Sequence, residues 1–598
     1  MAGEESDQAT GEMSDGLQVE LFHPDSDRKP GDTNKQLLSG NFDVHPVVFP
    51  GALALIVVFI AITLFLGQDQ ASQLFTGVKG FIESTFGWFY LLAVNVFLIT
   101  IVYFAVSKYG SIRIGGVEAE KEFSAFSWMA MLFSAGMGIG LMFFSVTEPV
   151  FYFNNPPAFF GAEAGTAAAG TAALAQTFFH WGLSPWAVYG LVGLGLAFFS
   201  FNRGLPLTFR SIFWPLLGDR IYGWPGHVID LVSVFATLFG LCTSLGLGVA
   251  QVNRGLSYVG GPEMLGLVDV PFGTIPQILL IAGITAIAVV SVAAGLDGGV
   301  KRLSTLNLYL MIGLLGFLFV VGPTLFILGS MAEGLGAYIG NFLSLSLFTG
   351  TIGAAAGNSL DGTVSGWTVF YWGWWIAWSP FVGMFIARIS KGRTVREFVM
   401  GVLILPTLFS VVWLSTFGGS ALFNSLKGGG EVATAYNDLG YATFETLGMF
   451  VTLQQFPLGA VSGLLATLLV ITFFVTSSDS GSLVIDHLTS GGKHDVPRAQ
   501  RVFWATTEGI VAAVLLWGGG LEGLQAAAIS TGLPFAVILL VMCYTVYLGL
   551  DNEYTILESE AFRDQIDRIS EDEEVVVDRT GGDVVTGVSE GGDTTSDD

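Results

Sequence analysis

Residues 371–380 read YWGWWIAWSP and run straight into FVGMFIA. Four of the chain's 14 tryptophans, Trp372, Trp374, Trp375 and Trp378, fall inside this stretch. Segment 366–388 is apolar up to Arg388. As a helix it is long enough to cross a hydrocarbon core of roughly 30 Å. The segment therefore belongs in a bilayer, and its indoles are interface anchors, packing, or the wall of a binding site. Trp367 and Trp372 lie near the start of the span, where anchors are common. Trp375 and Trp378 fall close to its midpoint, where anchoring explains them poorly.

Working outward, similar stretches recur. The chain has 598 residues, 52% hydrophobic and only 12% charged, against about 25% charged for a soluble chain. Twelve spans are expected, near 46–67, 86–107, 126–153, 171–201, 227–253, 273–296, 303–329, 366–388, 397–421, 452–476, 501–519 and 526–549. This is an all-α polytopic membrane protein. Segment 331–347 is apolar but too short to cross, and is expected along the interface or against a neighbour. With the N-terminus inside, 21 of the 24 Lys and Arg residues fall on the cytoplasmic side, leaving only Lys79, Arg254 and Lys427 opposite. So strong a positive-inside bias supports the span count and puts both termini in the cytoplasm.

The net charge of −25 sits mostly in the tails: residues 1–45 hold 10 acidic and 3 basic side chains, residues 551–598 hold 16 and 3. Such tails bury little and are expected to lack fixed structure, flanking a core of 46–550. A charge excess of this kind is hydrated and screened in a salt-rich cytoplasm, which fits a halophilic prokaryote. The polar first 45 residues do not read as a secretory signal. The two cysteines, Cys242 and Cys543, both lie in apolar stretches. Zinc sites, CxxC redox motifs and disulfide frameworks are thereby excluded. Nucleophile–base spacing is also missing, so an enzyme is not expected. His180, the histidine well inside a span, reads as structural.

Spans 3 and 8 each begin a run of five spans, and five being odd, the runs cross in opposite senses. Span 3 contains SAGMGIGLMF, with Gly136, Gly138 and Gly140 in alternation, and span 8 contains Ser379-Pro380. Interrupted helices at matching places in two inverted halves, about 126–329 and 366–549, point to a transporter's central site. The alternative is that membrane helices are simply richer in Gly and Pro, which also serve close packing.

Span 4 carries FFHWGLSPWAVYG, residues 178–190. At about 100° per residue, Trp181, Trp186 and Tyr189 lie at about 0°, 140° and 80°, on one side of a continuous helix. In span 8, Trp378 is a helix-surface neighbour of both Trp374 and Trp375. Rings from the two spans suit a quaternary ammonium, which offers no hydrogen-bond donor and spreads its charge over methyl groups. Core packing is the competing reading. A carboxylate on the same solute would need donors, which an unwound Gly136–Gly140 backbone and the Trp378 indole supply.

Span 10 ends in FFVTSSDSGS, residues 473–482. Thr476, Ser477, Ser478 and Ser480 with Asp479 offer oxygen ligands to a small hard cation such as Na⁺, or they cap a helix end. Glu148, in TEP, is either functional or a cap near the outer end.

These segments resemble the betaine/carnitine/choline transporter (BCCT) family over about residues 45–550. The most specific match is WTVFYWGWWIAWSPFVGMFIARISKGRTVREF, residues 367–398, with GMGIG, HWGLSPWAVY and FFVTSSDS agreeing in order and spacing. The resemblance implies two inverted five-helix, LeuT-like repeats behind two extra N-terminal helices, commonly in a homotrimer. It implies an aromatic box of Trp181, Trp186, Tyr189 and Trp375, with Trp378 and the backbone of Gly136, Met137, Gly138 and Gly140 near the carboxylate. Trp374 adjoins them. It also implies a sodium site from the hydroxyls of Thr476 and Ser477 and main-chain oxygens of Ser134, Met137 and Phe473. Choline-preferring members tend to have an acid where Gly140 stands, so a zwitterion such as glycine betaine is favoured. A second sodium site matches at Thr237 and Phe381, but Leu241 takes the place of its second threonine, with Thr243 and Ser244 nearby. The acidic C-terminal tail departs from the basic tail of osmosensing members.

The expectation is a sodium-driven importer of glycine betaine or a similar quaternary-ammonium solute, serving osmoprotection, with no cofactor but the coupling ion. The alternatives are a carnitine/choline or ectoine transporter with proton coupling or substrate exchange, and, from another class, an ion channel or sensor.

Overall fold

The computed structural model describes residues 28–136, 138–261, 264–268, 270–294, 301–427, 430–493 and 495–559. Within helices, the side chains of residues 133–136, 294 and 301 also lie outside the description. The longer helices are α1 Val48–Val106, α2 Ala125–Gly136, α3 Ile139–Asn154, α4 Ala167–Trp181, α5 Leu183–Phe201, α6 Trp224–Tyr258, α7 Thr274–Ala294, α8 Lys301–Val321 and α9 Thr324–Gly340. They continue with α10 Ser359–Arg388, α11 Val395–Leu426, α12 Glu431–Leu439, α13 Tyr441–Gln454, α14 Gly459–Thr489 and α15 Arg498–Glu558. Among the described residues, eight helical stretches are long and apolar enough to cross a membrane, with α4 and α5 taken together. The chain is an all-α polytopic membrane protein.

Two of these helices are too long to be single crossings. α1 has 59 residues, about 90 Å of rise, roughly three hydrocarbon thicknesses. It breaks at Gly67, where φ is 74° and ψ 168°. α15 breaks likewise at Gly520, at φ 57° and ψ −146°. A side chain at either φ would be strained, so glycine sets the bend. Residues 68–85, expected as a connection, are helical. The corners pack together: a Cβ on Gly519 would lie 2.7 Å from Phe75. Thr76 Oγ1 donates to Glu522 Oε2 at 2.9 Å and Lys79 Nζ to Gln525 Oε1 at 2.6 Å.

Other boundaries also differ from expectation. α8 stops at Val321, before Gly322-Pro323, and residues 324–340 form α9, which packs on α4 and α11. The helix expected at 452–476 instead runs from Gly459 to Thr489, with α13 ahead of it. The TSSDS stretch is therefore inside a helix, and the capping reading of Ser478, Asp479 and Ser480 is wrong. Local hydroxyl bonds make this possible: Thr476 Oγ1 donates to Thr472 O at 3.1 Å and Ser482 Oγ to Asp479 O at 2.9 Å. Polar side chains that bond their own helix carry no unpaired donor into it.

Residues 28–45, expected without fixed structure, are docked. Strands β1 Lys35–Leu37 and β2 Phe42–Val44 pair antiparallel. Asp43 pairs with Lys493, Asp43 N donates to Gln500 Oε1 at 2.8 Å and His45 N donates to Thr489 O at 2.8 Å. At the other end, α15 continues past 550, and Glu553 pairs with buried Arg203.

α10 lies at the centre, packed on α5, α6 and α15. Its contacts are backbone-close. A Cβ on Gly383 would lie 2.3 Å from Val192, one on Gly240 2.9 Å from Ala377 C, and one on Gly532 2.6 Å from Gly373 O. Small residues let membrane helices approach this closely. The helix is continuous through Pro380, where an interruption was expected. Proline removes the N–H that would pair with Ile376 O, and Ser379 Oγ supplies a donor to that carbonyl at 2.8 Å.

Candidate functional site

Two breaks and one continuous helix build the site. α2 ends at Gly136 and α3 starts at Ile139, so backbone N–H groups at the start of α3 have no helical acceptor. α4 ends at Trp181, and Gly182 separates it from α5. A Cβ on Gly182 would lie 2.5 Å from Phe178 O and 2.9 Å from the Tyr338 hydroxyl. The single continuous helix assumed for Trp181, Trp186 and Tyr189 is thus broken between the first and the other two. The rings meet anyway, because α10 bridges them.

Trp181 and Trp375 stand edge to face with centroids 4.9 Å apart, and Trp374 stacks on Trp375 at 4.7 Å. Tyr189 lies 6.3 Å from both Trp375 and Trp378, and 5.4 Å from Trp186. All six rings are buried. Trp372, left open between anchoring and packing, is buried too and packs edge-on against Phe179 and His180.

Beside these rings is a small cavity of about 10 Å³, room for about one water, lined by Gly138, Gly140, Trp181, Trp374, Trp375, Trp378, Ser244 and Ser477 among others. Trp186 and Tyr189 are not part of that lining; Tyr189 reaches it through its contacts with Trp375 and Trp378. A Cβ on Gly140 would fall 2.8 Å from both Trp181 and Trp374, whereas one on Gly138 would meet nothing within 4 Å. Gly140 therefore admits the indole edges, and no acidic side chain fits there.

The indole donors divide unequally. Trp181 Nε1 donates to Glu148 Oε2 at 2.9 Å, Trp374 Nε1 to Gly240 O at 3.3 Å, and Trp375 Nε1 to His180 O at 3.0 Å. Trp378 Nε1 is buried with no protein partner, as is the Tyr189 hydroxyl. Three indole N–H groups are thus already bonded within the protein, while Trp378 has a donor to give.

Ser134 and Gly136 belong to α2, but their side-chain surroundings lie outside the described residues, as does Met137 altogether. On α14, Thr476 Oγ1 donates to Phe473 O at 3.2 Å and accepts from Asn307 Nδ2 at 3.1 Å, while Ser477 lines the cavity. Asp479 Oδ2 accepts from Ser291, and Ser478 donates to Glu508. On α6, Thr237 Oγ1 donates to Ser233 O at 2.7 Å. Leu241 packs where a Cβ on Gly481 would be 2.2 Å away. Thr243 donates to Phe239 O and Leu524 O, and Ser244 to Gly240 O. Phe381 packs on Trp378 at 5.4 Å. No cluster of three or more His, Cys, Asp or Glu suited to a metal occurs among the described residues.

Glu148 is the residue whose place was misjudged. It lies inside α3, with no exposed surface, and it bonds His180, Trp181 and Tyr371. The end-of-helix cap reading is therefore wrong. A second, larger cavity is lined by Phe144, Trp367, Phe370, Lys79, Glu445 and Glu522 among others. Phe144 also touches Trp181 and Trp374, and Phe370 stacks on Trp374 at 5.5 Å. These two rings form the wall between the cavities. Burial pushes the Glu445 carboxyl up to about 8, against the pull of Lys79.

Aromatic rings, one free indole donor and backbone N–H groups without helical acceptors are the chemistry that recognises a methylated cation at one end of a solute and an anion at the other. Residues 47–555 match the BCCT family, the betaine/carnitine/choline family transporters. The chain is 49% identical over 519 residues to "Glycine betaine transporter 1" of Vibrio parahaemolyticus, covering 86% of this chain and 95% of that one. It is 46% identical over 537 residues to a "Glycine betaine/proline/choline/ectoine transporter" of the same organism (88% and 91%). It is 40% identical over 519 residues to the "Glycine betaine transporter" of Acinetobacter baylyi (86% and 75%). With a family match across nearly the whole helical core, the chain belongs to the betaine/carnitine/choline transporters, which move solutes rather than transform them.

Proposed function

We propose that the protein imports glycine betaine, or a similar quaternary-ammonium solute, by sodium symport through alternating access, for osmoprotection. The observation that carries this reading is the buried aromatic enclosure with its unpartnered Trp378 N–H, set beside the α2–α3 break. The ammonium would rest on the faces of Trp181, Trp375 and their neighbours, and the carboxylate near Trp378 and the backbone of Gly138–Gly140. One sodium ion would bind at Thr476 and Ser477, with main-chain oxygens of Phe473, Ser134 and Met137.

The architecture supports this. On this reading α1 and α15 each cross twice, and α2 with α3, α4 with α5, α6, α7, α8, α10, α11 and α14 each cross once, twelve in all. They group as two N-terminal crossings and two inverted, LeuT-like sets of five. Both tails face the cytoplasm on the lysine and arginine count, and a homotrimer in a halophile's membrane completes the reading. The names of the relatives make proline, choline and ectoine the competitors to try. Uptake of labelled glycine betaine into proteoliposomes, with and without sodium and with each competitor, tests it. Uptake that is unchanged without sodium would sink the coupling. Stronger uptake of another solute would replace the substrate.

A further inference from the structure

The aromatic enclosure is held from behind by one carboxylate. His180 Nδ1 lies 2.6 Å from Glu148 Oε1. Oε2 accepts the Trp181 indole N–H at 2.9 Å and the Tyr371 hydroxyl at 2.6 Å. An indole nitrogen can only donate. The Gln176 amide nitrogen stands 3.1 Å from His180 Nε2. Thr368 Oγ1 lies 3.0 Å from the same nitrogen; with the amide or the hydroxyl donating there, the ring proton is assigned to Nδ1, facing Glu148. Both carboxylate oxygens then accept, as those of an ionised carboxylate do. Among the described ion pairs, His180 is its sole partner.

Trp181 connects this charge to the cavity. One edge of its indole meets Glu148, and the other would touch a Cβ on Gly140 at 2.8 Å. Trp375 is tied to the same corner through His180 O. One side chain on α3 thereby fixes rings on α4 and α10. A charge buried in protein is weakly screened, so it acts beyond its hydrogen bonds. Such a charge attracts a cation to the Trp181 wall and repels an anion from it.

We propose that Glu148 is the positioning and specificity-determining residue of the enclosure. It fixes Trp181 and Tyr371 by hydrogen bonds, and by its charge it orients a zwitterion with the ammonium on Trp181. This rests on the transporter reading above.

The test is equilibrium binding of glycine betaine and of 3,3-dimethylbutanoate to the purified full chain and to Glu148→Gln. The second ligand has the same shape, with carbon in place of the charged nitrogen. Glutamine keeps an acceptor and removes the charge. The variant is expected to weaken betaine binding about tenfold or more while moving the isostere less than about threefold. Equal weakening of both ligands means a structural role only and overturns the charge argument, and unchanged betaine binding overturns the whole. Native protein that binds no betaine overturns the substrate reading and this inference with it. Glu148→Asp keeps the charge, so the ratio of the two Kd values should stay within about threefold of native even if both rise. A tenfold fall in that ratio contradicts the proposal, whether or not the glutamine variant folds.

Discussion

Trp378 differs from its neighbours by a single atom's bonding. Trp181, Trp374 and Trp375 spend their N–H groups on the protein, and Trp378 does not. Trp378→Phe keeps a ring and deletes the donor. Loss of a hydrogen bond to a charged group costs about 1.5–3 kcal/mol, so KM for betaine should rise about 10- to 100-fold. Uptake kinetics would show it, and an unchanged KM would remove Trp378 from the site. Gly140→Ala should cut transport sharply, because its methyl would enter the space of Trp181 and Trp374. Normal uptake by that variant would mean the rings have room to give. That these rings come together was legible in the sequence, since two spans crowd Trp and Tyr near their midpoints. Glu148 was not, because its partners stand 32, 33 and 223 residues away and only folding brings them to one carboxylate.

At the level of elements, hydropathy marked the chain as a set of apolar helices and placed several of their ends badly. The apolar pattern fades at TSSDS, yet α14 continues, because the Thr476 and Ser482 hydroxyls bond carbonyls of their own helix and Ser478 bonds Glu508. The same chemistry carries α10 through Pro380. Ser379→Ala leaves Ile376 O without its side-chain donor, at a cost of about 1–3 kcal/mol. A lower Tm with the site residues intact is expected, and an unchanged Tm would show that another donor takes over. The start of α1 depends on a histidine. His45 Nδ1 accepts from Val47 N and Val48 N, both at 3.2 Å, so the ring must be neutral there. Burial first, then Arg210 and His227, lowers its pKa from 6.5 to about 3. A base with a depressed folded pKa gives stability that is complete above pH 6.5 and lost as pH falls toward 3. His45→Asn keeps an acceptor that does not titrate, and its Tm should fall less over that range. Equal acid sensitivity of the two proteins would contradict this.

For the whole molecule, the bilayer imposed what was easiest to read. An apolar chain with nearly all its basic residues on alternate connections has few ways to fold. Gly67 and Gly520, which divide the two longest helices, carried no such signal, because a glycine that bends a helix looks like one that packs it. The central claim joins all three scales: a ring of aromatic faces, held by α3, α4 and α10, carries a methylated zwitterion across the membrane. The most direct measurement is betaine accumulation in proteoliposomes under an inward sodium gradient, with native protein and with Trp375→Leu at equal folded amounts. The account predicts accumulation by the native protein that collapses with the gradient, and none by the variant. Accumulation by Trp375→Leu at the native rate would contradict it.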